Sequence, residues 1–135
     1  MQVQTFSKNV GDFGCLAFCY LYIACKLTNT QWDDIEAIRI IKQAMEMKYI
    51  DDDCFVRDPV NLMWLATGRR FDVSKTTIQN ARSPYVCMRY EKNGKAHWTV
   101  WNVNSGLEWN SLDFSNCVVN GTPNLNDVRD IVLRS

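Results

Sequence analysis

The period of apolar and polar positions changes near residue 70. Before it, residues 15–26 are apolar on nearly every face, which predicts a buried central helix. The stretch leading into it, residues 8–14, holds two glycines with Asn9 and Asp12 and reads as a loop. Ile35, Ile38, Ile41 and Met45 recur at helical spacing and predict an amphipathic helix over 31–48, with Thr30 as its N-cap. Asp58 and Pro59 open a third, shorter helix that runs to about Ala66 and stops before Gly68. From Phe71 onward the pattern is that of strands, over 85–91, 96–103, 107–114 and a terminal piece near 127–133. Asn93-Gly94 and Asn104-Ser105-Gly106 supply the turns between the first three. Shorter extended pieces are expected at 1–6 and 54–56. Helices followed by an antiparallel sheet define an α+β fold, and 135 residues suit one domain spanning 1–135.

Composition narrows the function. Hydrophobic residues at 47% and charged residues at 22% exclude a disordered or low-complexity chain. Fifteen basic residues balance fifteen acidic ones, and Arg69-Arg70 is the only basic cluster, so nucleic acid is not the expected partner. The apolar run from Phe13 to Cys25 is thirteen residues, short of the roughly 18 that cross a bilayer, so no membrane partner is expected. Without a basic leader or a small-residue cleavage site, that run does not read as a signal peptide. Six cysteines show no framework spacing, three of them lying in one apolar segment, which favours a reduced, cytoplasmic protein over a cross-linked secreted one. Asp51-Asp52-Asp53 lacks the spaced ligands and glycine of a calcium loop and reads as a solvated turn.

A single histidine, His97, leaves no H-E-x-x-H and no Cys2His2 set; zinc on Cys15, Cys19 and His97 would lack a fourth ligand. Nucleotide-binding glycine loops and G-x-S-x-G are also missing. No cofactor is expected, and thiol chemistry remains. Cys15 follows Gly11-x-x-Gly14 at the first turn of the apolar helix, where the positive end of the helix dipole favours thiolate over thiol. Gly14 lets a substrate approach the backbone N–H groups there, which suits an oxyanion. Free cysteine is also a common core residue, the reading that fits Cys19 and Cys25 better. If Asn104-Ser105-Gly106 form the hairpin loop, Val103 pairs with Leu107 and His97 stands opposite Asp113, with Thr99 against Ser111 and Trp101 against Trp109. An Asp beside a His fixes its tautomer and supports the imidazolium; the alternative is an ordinary polar cross-strand pair. Trp98 should point away from the His97 face and pack beneath the sheet, while Trp101 shares that face and is the better candidate to line a cleft; Trp64 and Trp109 are further aromatic candidates.

Cysteine at a helix N-terminus, histidine on a strand and aspartate on the next strand follow the order of the papain-like cysteine peptidases. The chain resembles that superfamily in Gly14-Cys15-Leu16-Ala17, in Ala96-His97-Trp98-Thr99-Val100, and in Leu112-Asp113-Phe114 sixteen residues after the histidine. Among its branches it is similar to the bacteriocin-leader (double-glycine) peptidases, where the third member is an aspartate. Residues 49–56 and 115–121 also resemble compact uncharacterised peptidase-like proteins of phages and bacteria. The resemblance implies a papain-like fold, a catalytic Cys15–His97–Asp113 triad, a peptide or protein substrate, and an upstream amide that completes the oxyanion hole. Gln4 is the favoured amide, eleven residues before Cys15, and Asn9 at six residues is the alternative. The superfamily often has Asp-Cys-Gly where this chain has Gly14-Cys15-Leu16.

Two functions compete on these residues. The first is a thiol hydrolase, a cysteine peptidase or amidase acting on a peptide or isopeptide bond. The second is a peptidase-fold binding or inhibitor protein without turnover, phage-encoded and directed at a host protein, since a fold does not fix a function.

Overall fold

The computed structural model describes residues 12–31, 33–51, 55–92, 95–109 and 122–134, with Asp12–Cys15 described by their backbone. Helix α1 spans Asp12–Thr28. It stops where Asn29 turns left-handed (φ 55°) and the Thr30 N–H closes back on the Cys25 carbonyl at 2.9 Å. Helix α2 spans Asp34–Glu46 and α3 spans Pro59–Thr67. Five strands follow: β1 (Phe71–Thr76), β2 (Tyr85–Lys92), β3 (Lys95–Asn102), β4 (Gly106–Trp109) and β5 (Thr122–Leu133). They form one antiparallel sheet in the order β1-β5-β2-β3-β4, so the last strand inserts between the first and second. The fold is α+β, as the change of period predicts.

Both faces of the sheet are buried, by different means. On one face Phe71, Cys87, Trp98, Val100 and Ile131 share a single buried cluster with Ala17, Phe18, Cys19, Leu21, Ile23 and Ala24 of α1 and with residues of α2 and α3. On the other face Val86, Met88, Tyr90 and Val128 pack with Ile78, Ala81, Trp101 and Val103. The segment between β1 and β2 is pinned over that second face by Asp130, 1% exposed, whose carboxylate accepts the Arg82 and Ser83 N–H groups at 2.9 and 3.0 Å. A carboxylate buried this deeply is tolerated because backbone donors replace its water. Among the described residues no helix is long and apolar enough to cross a membrane.

Several sequence expectations are corrected. Asp33, not Thr30, caps α2, accepting from the Ile35 and Glu36 N–H groups at 2.8 and 3.2 Å, while the Thr30 hydroxyl pairs with Thr28. The buried stripe of α2 is Ala37, Ile40, Ile41 and Ala44; it keeps the expected Ile41, with Met45 partly buried against the core, but Ile35 is 66% exposed. Alanines in the seam let α2 approach its neighbours closely, so the face is set by packing rather than by the bulkiest residues. Strand β1 has no counterpart among the expected strands, because Asp72, Ser74 and Lys75 dilute its apolar signal.

The β3–β4 hairpin also departs from the expected register. Asn102 pairs with Gly106 and Trp101 with Leu107, after which Val100 pairs with Trp109, leaving Glu108 as the extra residue of a bulge. Val103 therefore lies in the turn, and Trp109 stands opposite Val100 rather than Trp101. The bulge re-aims Glu108 toward α1, where it accepts from the Tyr22 hydroxyl at 3.1 Å and lies 3.7 Å from the Lys26 ammonium. The third helix matches expectation, with Asp58 as N-cap and Gly68 as a left-handed C-cap (φ 69°, ψ 13°). An added Cβ at Gly68 would touch nothing within 4 Å, so only the backbone conformation resists a side chain. Gly68→Ala should cost about 1–2 kcal/mol, measured by urea denaturation, with Gly68→Asn costing less.

Candidate active site

The site proposed from the sequence draws on α1 and β3. Helix α1 lies over the middle of the sheet, since the Tyr22 hydroxyl reaches Glu108 of β4 at 3.1 Å and the Tyr20 hydroxyl reaches Arg129 of β5. Cys15 is the fourth residue of α1, one turn before the fully buried Cys19. Its backbone belongs to the first turn, where the helix presents unpaired N–H groups.

His97 is placed differently from the expectation in one respect. It pairs across β2 with Tyr90, and both belong to the sheet face opposite α1. Trp98 and Val100 are the β3 residues that face the helix. The imidazole is 2% exposed, and along its face Thr99 donates to the Met88 carbonyl at 3.1 Å. Further along, the Trp101 indole N–H donates to the Tyr90 hydroxyl at 2.8 Å. Trp98 beneath the sheet and Trp101 on the His97 face are as the alternation predicts, but Trp101 is packed into the far-side cluster. Trp64 is separate from the site, half-exposed on α3 with the Arg70 guanidinium 5.6 Å over its ring. Gln4, Asn9 and Asp113 lie outside the described residues, as do Ser111 and the part of the hairpin expected to set His97 against Asp113. The described residues thus place the helix that bears Cys15 against the Trp98 and Val100 side of β3, and His97 on the opposite side.

Among the described residues Cys19, Cys25 and Cys87 are buried thiols outside any disulfide, and burial pushes the Cys25 thiol above its ordinary value. At neutral pH it therefore carries less thiolate than an exposed cysteine. Desolvation, followed by the hydrogen bond to Glu108, pushes the Tyr22 hydroxyl up to about 12, so it stays a donor across the physiological range. Among the described residues no group of three or more His, Cys, Asp or Glu side chains is arranged to hold a metal ion.

The sequence reading overlooked a cluster between α1 and the sheet. Arg129 has its guanidinium 4.8 Å over the Trp98 ring, bonds Asp127 at 2.7 Å and hydrogen-bonds the Tyr20 hydroxyl. Burial raises the Tyr20 hydroxyl's pKa strongly, more than Arg129 lowers it, so Tyr20 remains neutral. Arg89 stands directly across from Trp98 on the same face. The signal was the parity of β2, where Tyr85, Cys87 and Arg89 alternate inward and a charged residue occupies a core-facing position.

Compared with family models, curated proteins and solved structures, the chain has no match in any of the three.

Proposed function

We propose that the protein is a thiol hydrolase of papain-like architecture that cleaves a peptide or isopeptide bond in a reducing, cytoplasmic setting. Cys15 Sγ attacks the carbonyl carbon, and its proton passes to His97. His97 returns that proton to the leaving amine, which departs and leaves a thioester on Cys15. Water, deprotonated by His97, then releases the acid and restores the thiol. Asp113 orients His97 and stabilises its imidazolium, and Gln4, with Asn9 as the alternative, joins the Cys15 N–H in binding the oxyanion.

The observation that supports this reading is that α1, whose first turn holds the Cys15 backbone, packs against β3, the strand that carries His97. An imidazole cannot pass through a sheet, so the reading requires thiol and ring to meet beyond the end of β3. The burial of His97 on the far face favours the second reading, a peptidase-fold binding or inhibitor protein that does not turn over. Iodoacetamide at pH 6, with labelled peptides mapped by mass spectrometry, separates the two. In the hydrolase Cys15 is labelled first, Cys25 lags because burial keeps it protonated, and His97→Ala slows the labelling of Cys15. Labelling of Cys15 no faster than an exposed control thiol, and unchanged in His97→Ala, selects the binding protein.

A further inference from the structure

Two guanidinium groups flank Trp98 on the helix-facing side of the sheet, and they are held in different ways. Arg129 stands across from Cys87 and reaches over that small side chain to the Trp98 ring. Its side chain is 17% exposed and is committed to Asp127 and Tyr20. Arg89 is less well satisfied. Its Nε is buried and, among the described residues, makes no hydrogen bond. The nearest acid, Glu91, lies 3.4 Å from that nitrogen in an ion pair whose side chains are 39% and 46% exposed.

The neighbouring strand gives way at this point. Between the Met88–Val128 and Tyr90–Pro123 pairs the register shifts, so residues 124–127 of β5 have no regular partner beside Arg89. A guanidinium carries five donors in a planar fork that matches a carboxylate, and a half-exposed, misaligned ion pair holds it weakly. Arg129, held by Asp127, adds a second guanidinium beside it, and Trp98 supplies a flat wall.

We propose that Arg89, backed by Arg129 and Trp98, binds a carboxylate of the substrate, so that the peptides accepted carry an acidic side chain. The assignment of that carboxylate to a substrate rests on the hydrolase reading, whereas the anion site itself does not. An incoming carboxylate displaces Glu91 from Arg89 and takes the open donors.

The test is a titration of the full chain, carrying Cys15→Ala so that no thiol chemistry intervenes, with N-acetyl-L-glutamate and its neutral isostere N-acetyl-L-glutamine. The readout is the Trp98 indole N–H resonance, assigned with Trp98→Phe. N-acetyl-L-glutamate should give a saturable shift that the glutamine analogue does not. Arg89→Gln should weaken the glutamate complex at least tenfold, Arg89→Lys less, and Glu91→Gln should tighten it about threefold by removing the competing acid. Equal response to the two probes, or unchanged binding in Arg89→Gln and Glu91→Gln, overturns the site. Because Glu91 is exposed, Glu91→Gln keeps the test valid if Arg89→Gln fails to fold. Reactivity of Cys15 is read separately by alkylation. Glutamate binding through Arg89 with an unreactive Cys15 retains the anion site and removes its assignment to a hydrolase.

Discussion

Phe18→Ala should lower the free energy of unfolding by about 3–5 kcal/mol, the usual cost of a fully enclosed phenylalanine. Phe18 is 0% exposed at the centre of α1, between the sheet and the other two helices. Removing its ring loses the transfer free energy of the side chain and leaves a void that packed neighbours on both sides fill only in part. For a domain of this size the loss corresponds to a fall in melting midpoint of about 10–20 °C. Ile35→Ala provides the contrast. Ile35 is 66% exposed at the start of α2, and alanine is the better helix former, so the change should stay within about 0.5 kcal/mol. Thermal and urea unfolding of the two variants measures both. A loss at Ile35 comparable to that at Phe18 would mean that the buried stripe of α2 extends to Ile35 rather than being confined to Ala37, Ile40, Ile41 and Ala44.

The contrast between those residues shows what the sequence could carry. The central helix was legible because residues 15–26 are apolar all round, a pattern that only an enclosed helix satisfies. α3 was legible through its caps, Asp58 with Pro59 and then Gly68, whose chemistry is local. The face of α2 was legible only at Ile41 and Met45, because alanine scores weakly in any periodicity yet marks the closest approach between helices. β1 was lost for a related reason. It pairs along β5 as an edge strand and exposes polar side chains on its outer positions, so half of its residues resemble a loop. The hairpin register failed first at the turn, which holds residues 103–105 instead of 104–106, and again at Glu108, since an inserted residue is invisible until the pairing itself is seen.

Within the candidate site the same limit applies with greater consequence. The alternation of β3 correctly separated Trp98 from His97 and Trp101. It could not say which of the two faces α1 would cover. That choice was settled by the inner row of Phe71, Cys87, Trp98, Val100 and Ile131, which offers a continuous apolar surface to the helix. The His97 row carries Thr99 and Tyr90, polar groups that are satisfied on the far side by the Met88 carbonyl and by Trp101. Arg89 and Arg129 were overlooked because an arginine in a strand reads as solvent-facing unless its parity is followed, and the long stem of Arg129 hides its charge against Trp98.

If a peptide substrate is found, Cys15→Ala and His97→Ala should each reduce kcat by about three orders of magnitude or more, since nucleophile and base act as one unit. Asp113→Asn should leave measurable turnover, because the aspartate orients the base and stabilises its charge but does not react. The double variant Cys15→Ala/His97→Ala should be no slower than either single variant, the non-additivity expected when both residues serve the same step. The outcome at His97 has the widest consequence. Its imidazole is buried on the face away from α1, so a purely structural histidine would lower stability while leaving kcat of the folded fraction intact. A catalytic one would lower kcat in protein that still unfolds cooperatively, and would change the pH profile of kcat/KM, which reports the ionisation of the acid and base the reaction uses. Loss of kcat with that profile changed places thiol and ring together beyond the end of β3. Full kcat in a destabilised His97→Ala assigns the histidine to the far-side core and rules out the triad.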